Sequence, residues 1–91
     1  MKSINAKTKT IYNTKYIALI EKLSLERKLL GMSQTDVADF LHMKQSDISK
    51  IEGIERKIDV LEFKLLLEAY KINDNPKLKK LVMDFFGLDQ R

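Results

Sequence analysis

Apolar positions recur at helical spacing along most of the chain, and no strand-like alternation persists. Tyr16, Ile17, Ile20, Leu23 and Leu30 predict a first helix from Lys15 to Leu30, with Thr14 as its N-cap and Gly31 just past its end. Ser33 and Asp36 have the spacing of a capping box, with aspartate where glutamate is preferred. They open a short helix over 34–41 whose Val37, Ala38 and Leu41 share one face. A turn through His42 and Met43 leads to a third helix over 45–52, which buries Ile48 and Ile51 and is closed by Gly53. Asp59 and Glu62 form another cap pair, ahead of a strongly apolar helix over 60–71. Asn75-Pro76 reads as a cap followed by proline at the first helical position. It starts a fifth helix over 76–86, amphipathic through Leu78, Leu81, Val82, Phe85 and Phe86 and stopped by Gly87. The expected fold is all-α, a compact five-helix bundle over 15–91, preceded by a polar, basic arm over 1–14. So small a core is marginal alone, and dimerisation would help it.

Composition narrows the chemistry. Ninety-one residues allow one small domain, and 44% hydrophobic with 33% charged residues is ordinary for a soluble chain. There is no cysteine and one histidine, His42, which excludes thiolate and multi-histidine metal sites. No phosphate-cradling glycine loop is present, and the paired carboxylates Glu52 and Glu55 have no accompanying nucleophile. No enzyme, cofactor or metal is expected. No apolar run approaches the roughly 20 residues that span a bilayer, and no signal-peptide core follows the first lysines. The cytoplasm is the expected location.

The formal charge of +4 raises the prior for nucleic acid. It is unevenly placed: residues 1–20 carry +4, whereas residues 32–70 carry −3. The net charge is therefore a poor witness, and placement has to carry the argument. Helix 34–41, a three-residue turn and helix 45–52 make the geometry of a helix-turn-helix. Its second helix enters the DNA major groove, with its N-terminal residues at the base edges. At 100° per residue, Gln45, Ser46, Ser49 and Lys50 share an arc of roughly 140°, opposite Ile48 and Ile51. Glutamine pairs with adenine, lysine favours guanine and serine is permissive. Asp47 belongs at the rim of that arc, where it does not meet phosphates.

These residues carry a resemblance. Gly31-Met-Ser-Gln-Thr-Asp-Val-Ala-Asp-Phe-Leu41, followed by Gln45-Ser-Asp-Ile-Ser-Lys-Ile-Glu52-Gly53, resembles the phage-repressor and Cro-like, or xenobiotic-response-element, helix-turn-helix family. The family pattern runs roughly G-L-S-Q-x-x-L-A-x-x-L-G-V-x-x-x-x-I-S-R-I-E-x-G. Glu26-Arg27 fits it too, and Glu55-Arg-Lys-Ile-Asp-Val-Leu-Glu-Phe63 is similar to the branch with G-E-R-R-L-D-V-x-E after the recognition helix. The likeness covers about residues 16–72. It implies a lambda-repressor-like fold and base contacts from Gln45, Ser46, Ser49 and Lys50. It implies phosphate contacts from Gln34, Lys44, Arg56 and Lys57, with Gln34 also bracing the base-reading glutamine. It further implies a buried ion pair between Arg27 and Glu52. Two positions depart from the pattern. His42 replaces the turn glycine, which implies a left-handed histidine. Lys44 replaces the usual Ser or Thr cap, at a loss of about 1 kcal/mol.

The expected function is a sequence-specific double-stranded DNA-binding regulator, a repressor acting as a homodimer on a palindromic operator. The alternative is an antitoxin or other protein-interaction module that neutralises a partner such as a toxin. The C-terminal helix has two readings: Val82, Phe85, Phe86 and Leu88 either cap the core or form a two-fold interface. Arg56 and Lys57 lie either beside phosphates or in a solvated loop.

Overall fold

The computed structural model describes residues 13–88, which form five α-helices and no strand. Helix α1 spans Thr14–Leu29, α2 Gln34–Leu41, α3 Gln45–Glu52, α4 Val60–Ala69 and α5 Pro76–Phe86, with a 3-10 turn at Ile72–Asp74. The expected arm lies outside the described residues as far as position 12.

Helix α1 begins one residue earlier than expected. Asn13, not Thr14, is the cap, and its Oδ1 accepts the Tyr16 N–H at 3.0 Å. Leu30 is a second correction. It is the C-cap of α1, exposed and outside the core, and left-handed Gly31 follows it. The Met32 N–H then bonds back to the Arg27 carbonyl at 3.1 Å, satisfying the helix end. The Ser33–Asp36 box forms with both bonds present, at 3.0 and 2.8 Å. Asp59 and Glu62 do the same for α4, and Asn75 caps α5 through the Leu78 N–H.

Helix α4 stops at Ala69 rather than 71. Lys71 takes a left-handed conformation (φ 57°), which a helix cannot absorb, and the 3-10 turn follows. At the end of α3, Gly53 stays right-handed and Ile54 carries the positive φ of 62°. A β-branched residue there is strained. Packing of the half-buried Ile54 side chain against the core opposes that strain.

The core is one cluster joining every α-helix: Leu19, Ile20 and Leu23 of α1, Val37, Ala38 and Leu41 of α2, Ile48 and Ile51 of α3, Leu66 of α4 and Leu78 of α5. Burying the Val, Leu and Ile side chains among these stabilises the fold by about 1.5–3 kcal/mol each. Val37 and Ala38 have almost no exposed surface, so α2 and α3 pack as one unit on α1 and α4. Two polar ties brace the frame. The Tyr16 hydroxyl accepts the Ile58 N–H at 3.1 Å and pins the 54–59 loop to α1. Buried Glu26 accepts from Asn75 at 2.6 Å and pairs with Lys77 at 3.2 Å, fastening α1 to the start of α5. Among the described residues, no helix is long and apolar enough to cross a membrane.

Candidate nucleic-acid interface

The turn between α2 and α3 sets the geometry of the site. His42 occupies the left-handed region (φ 58°, ψ 44°), as expected for the residue replacing glycine, and is exposed. The Met43 N–H bonds to the Ala38 carbonyl at 2.8 Å and the His42 N–H to Asp39 at 3.3 Å. That pattern closes α2 tightly and fixes the exit direction of the chain. Lys44 then starts α3 without a side-chain capping bond. Asp47 partly compensates, since its Oδ2 accepts the Lys44 N–H at 3.3 Å. This bond turns the Asp47 carboxylate back on its own helix end.

Gln45, Ser46, Ser49 and Lys50 are all exposed on α3, while Ile48 and Ile51 are buried beneath them. Gln45 is held in place. Its Nε2 donates to Gln34 Oε1 at 2.6 Å, and Gln34 Nε2 donates to Glu52 Oε1 at 3.0 Å. Glu52 in turn accepts from Arg27 Nε at 2.8 Å, Arg27 Nη2 at 3.0 Å and Ser24 Oγ at 3.3 Å. Arg27 Nη1 also donates to the Met32 carbonyl at 2.9 Å. The direction of this chain is chemically determined. An ionised carboxylate only accepts, so Gln34 must offer it the amide nitrogen, leaving its oxygen for Gln45. Gln45 retains one N–H and its carbonyl oxygen for an outside partner, the donor–acceptor pair that adenine requires.

Charge follows the same path. Burial pushes the Glu52 carboxyl up, but hydrogen bonds from Arg27, Gln34 and Ser24, with the Arg27 charge, outweigh it and hold Glu52 below the ordinary carboxylate value. Arg27 is raised, through its hydrogen bond to Glu52 against the cost of burial. Burial, reinforced by the Glu52 charge, raises Tyr70 nearby, so the phenol stays neutral beside the pair.

The remaining predicted residues are placed less uniformly. Gln34 is half-buried at the head of α2, with its amide committed to Glu52 and Gln45. Lys44 is exposed at the start of α3. Arg56 forms a two-pronged pair with Glu62, at 2.9 and 2.6 Å. The hydrogen bond to Arg56 is the main cause of the lowered Glu62 pKa. Three of the five guanidinium N–H groups remain available. Lys57 is exposed and borders a hollow of about 200 Å³ shared with Tyr16, Val60, Phe63 and Phe86. The Arg56–Glu62 pair and the Glu26 tie escaped sequence reasoning. The Glu62 cap role was visible at its i+3 spacing, but its second partner lies across the loop.

Helix α3, amide-braced on a buried ion pair and with exposed lysines beside it, has the arrangement of a DNA-binding helix-turn-helix. A helix-turn-helix family model matches residues 23–74, more than half of the chain. The chain belongs to this family, in its Cro-like, xenobiotic-response-element branch, and is a DNA-binding transcription regulator. No curated protein matches it.

Proposed function

We propose that the protein is a repressor that binds a palindromic operator as a homodimer and occludes a promoter. In this reading Gln45, Ser46, Ser49 and Lys50 read bases. Gln34, Lys44, Arg56 and Lys57 contact phosphates, and the Arg27–Glu52 pair holds the frame. The observation that carries it is the hydrogen-bonded path from Arg27 through Glu52 and Gln34 to Gln45. A glutamine held from below presents its amide edge at little entropic cost, which is what base readout needs.

The homodimer rests on the apolar face where α4 meets α5. Val60 is 87% exposed and Phe86 54%, with Leu61 and Leu88 also exposed. Phe63 packs tilted and Phe85 edge-on against Phe86, at centroid distances of 6.2 and 5.0 Å, giving the face an aromatic centre. A palindromic operator calls for two α3 helices about one DNA turn apart, which a two-fold dimer supplies. Selection of bound sequences from a random DNA pool tests the proposal. A two-fold-symmetric motif supports it, whereas an asymmetric motif or no enrichment overturns it.

A further inference from the structure

Helix α1 carries a second stripe that the core does not use. Ala18, Lys22, Leu25 and Leu29 follow spacings of four, three and four residues and so share one face. Leu25 is 55% exposed and Leu29 63%. Across from them α5 contributes Leu81, flanked by Lys77 and Lys80. The helices enclose a groove of about 350 Å³ with Leu25, Leu29 and Leu81 as its floor and Lys22, Lys77 and Lys80 at its rim. It continues along α1 into a second hollow of about 230 Å³, bordered by Lys15, Ala18 and Phe85. None of these residues belongs to α2 or α3.

The carboxylates lining this groove are engaged within the fold. Glu26 is buried and held by Asn75 and Lys77, and Asp84 pairs with Lys80 at 2.9 Å. Lys77 and Lys80 are the partners of these two carboxylates, so the excess positive charge of the rim is carried by Lys15 and Lys22, over an apolar floor. We propose that the groove receives an acidic amphipathic helix of a partner protein. Its leucine-like side chains would lie on the floor and its carboxylates against Lys15 and Lys22. From Lys15 to Leu29 the face runs about 21 Å, enough for roughly four helical turns of a partner. Charge selects the occupant. A second copy seated groove to groove sets lysine against lysine, and residues 1–12 of this chain carry three lysines and no acid. DNA fits the lysines but not the leucine floor. The regulator thereby holds a partner with its reading helix left open.

The test is a selection against the full chain from a displayed library of random peptides about 16 residues long, a length that spans the groove. Enriched peptides should be net acidic, with apolar residues at i, i+3 or i+4, and i+7. A synthetic copy should bind the wild-type chain and lose at least about ten-fold in affinity against Leu29→Glu and against Lys22→Glu. Both positions are exposed, so both variants should keep the wild-type melting curve and DNA affinity. If one variant fails to fold, the other still decides. No enrichment, enrichment of basic peptides, or equal binding to both folded variants overturns the proposal. So does sedimentation showing a dimer that Leu29→Glu dissolves, which would make the occupant a second copy.

Discussion

In the proposed reading Glu52 joins the stability of the domain to its reading of DNA, and a pair of variants separates the two. Glu52→Ala removes the acceptor of four hydrogen bonds, two of them from Arg27, and leaves that buried guanidinium with only the Met32 carbonyl. Stranding one partner of a buried pair costs about 3–5 kcal/mol. A domain of this size holds only about 5–10 kcal/mol in total. The midpoint of thermal unfolding should therefore fall by more than about 12 °C, at about 4–8 °C per kcal/mol. Replacing both partners, as Arg27→Met with Glu52→Met, removes the stranded charge. It should bring stability back to within about 1–2 kcal/mol of wild type or above it. DNA binding should not recover, because Gln34 has lost its acceptor and no longer fixes Gln45. The expected loss is about ten-fold in operator affinity, or about 1.4 kcal/mol. Circular dichroism melts and fluorescence anisotropy on a selected operator give the two readouts. A double variant that binds with wild-type affinity and base preference would refute the bracing role. A Glu52→Ala protein that melts within about 2 °C of wild type would refute the energetic argument.

Other consequences are as direct. Glu52 and Glu62 both sit below their ordinary value of 4.5 in the folded state, so they stabilise it above that pH. This contribution should be lost as pH falls through their lowered values, and Glu52→Gln should flatten the dependence of melting temperature on pH between about 5 and 2. Lys50→Ala should relax preference at one base position, whereas Lys57→Ala should weaken all sequences alike and reduce the salt slope by about one. The reverse pattern in binding titrations across several sequences and salt concentrations would exchange their roles. Phe86→Glu should convert a sedimenting dimer into a monomer without changing the circular dichroism spectrum, and an unchanged mass would remove the α4–α5 face as the dimer surface.

Local signals were legible where one residue type has one good position. Ser33 with Asp36, Asp59 with Glu62, and Asn75 before Pro76 each announced a helix start, and each helix starts there. Adjacent equivalents were not separable: Asn13 and Thr14 are both good caps, and only the accepted Tyr16 N–H distinguishes them. Backbone reversals without glycine were hidden. Lys71 ends α4 early with a left-handed backbone, and Ile54 takes the positive φ that Gly53 invited, its side chain packed against the core. The arc of Gln45, Ser46, Ser49 and Lys50 followed from helical periodicity, and all four are exposed on α3. Partners distant in sequence did not follow. Glu26 has the composition of a surface residue, and its burial depends on Asn75 and Lys77, 49 and 51 positions away. Leu25 and Leu29 belong to a second face of a helix whose first face already accounted for the core.

The central claim is that Gln45, held from beneath, reads a base. Binding-preference profiling of wild type beside Gln45→Ala, over all single-base changes of the selected operator, tests it most directly. Preference for adenine at one position in each half-site should vanish in the variant, at about 1–3 kcal/mol, with other positions unchanged. A uniform loss of affinity with every preference intact, or no change at all, would contradict the account.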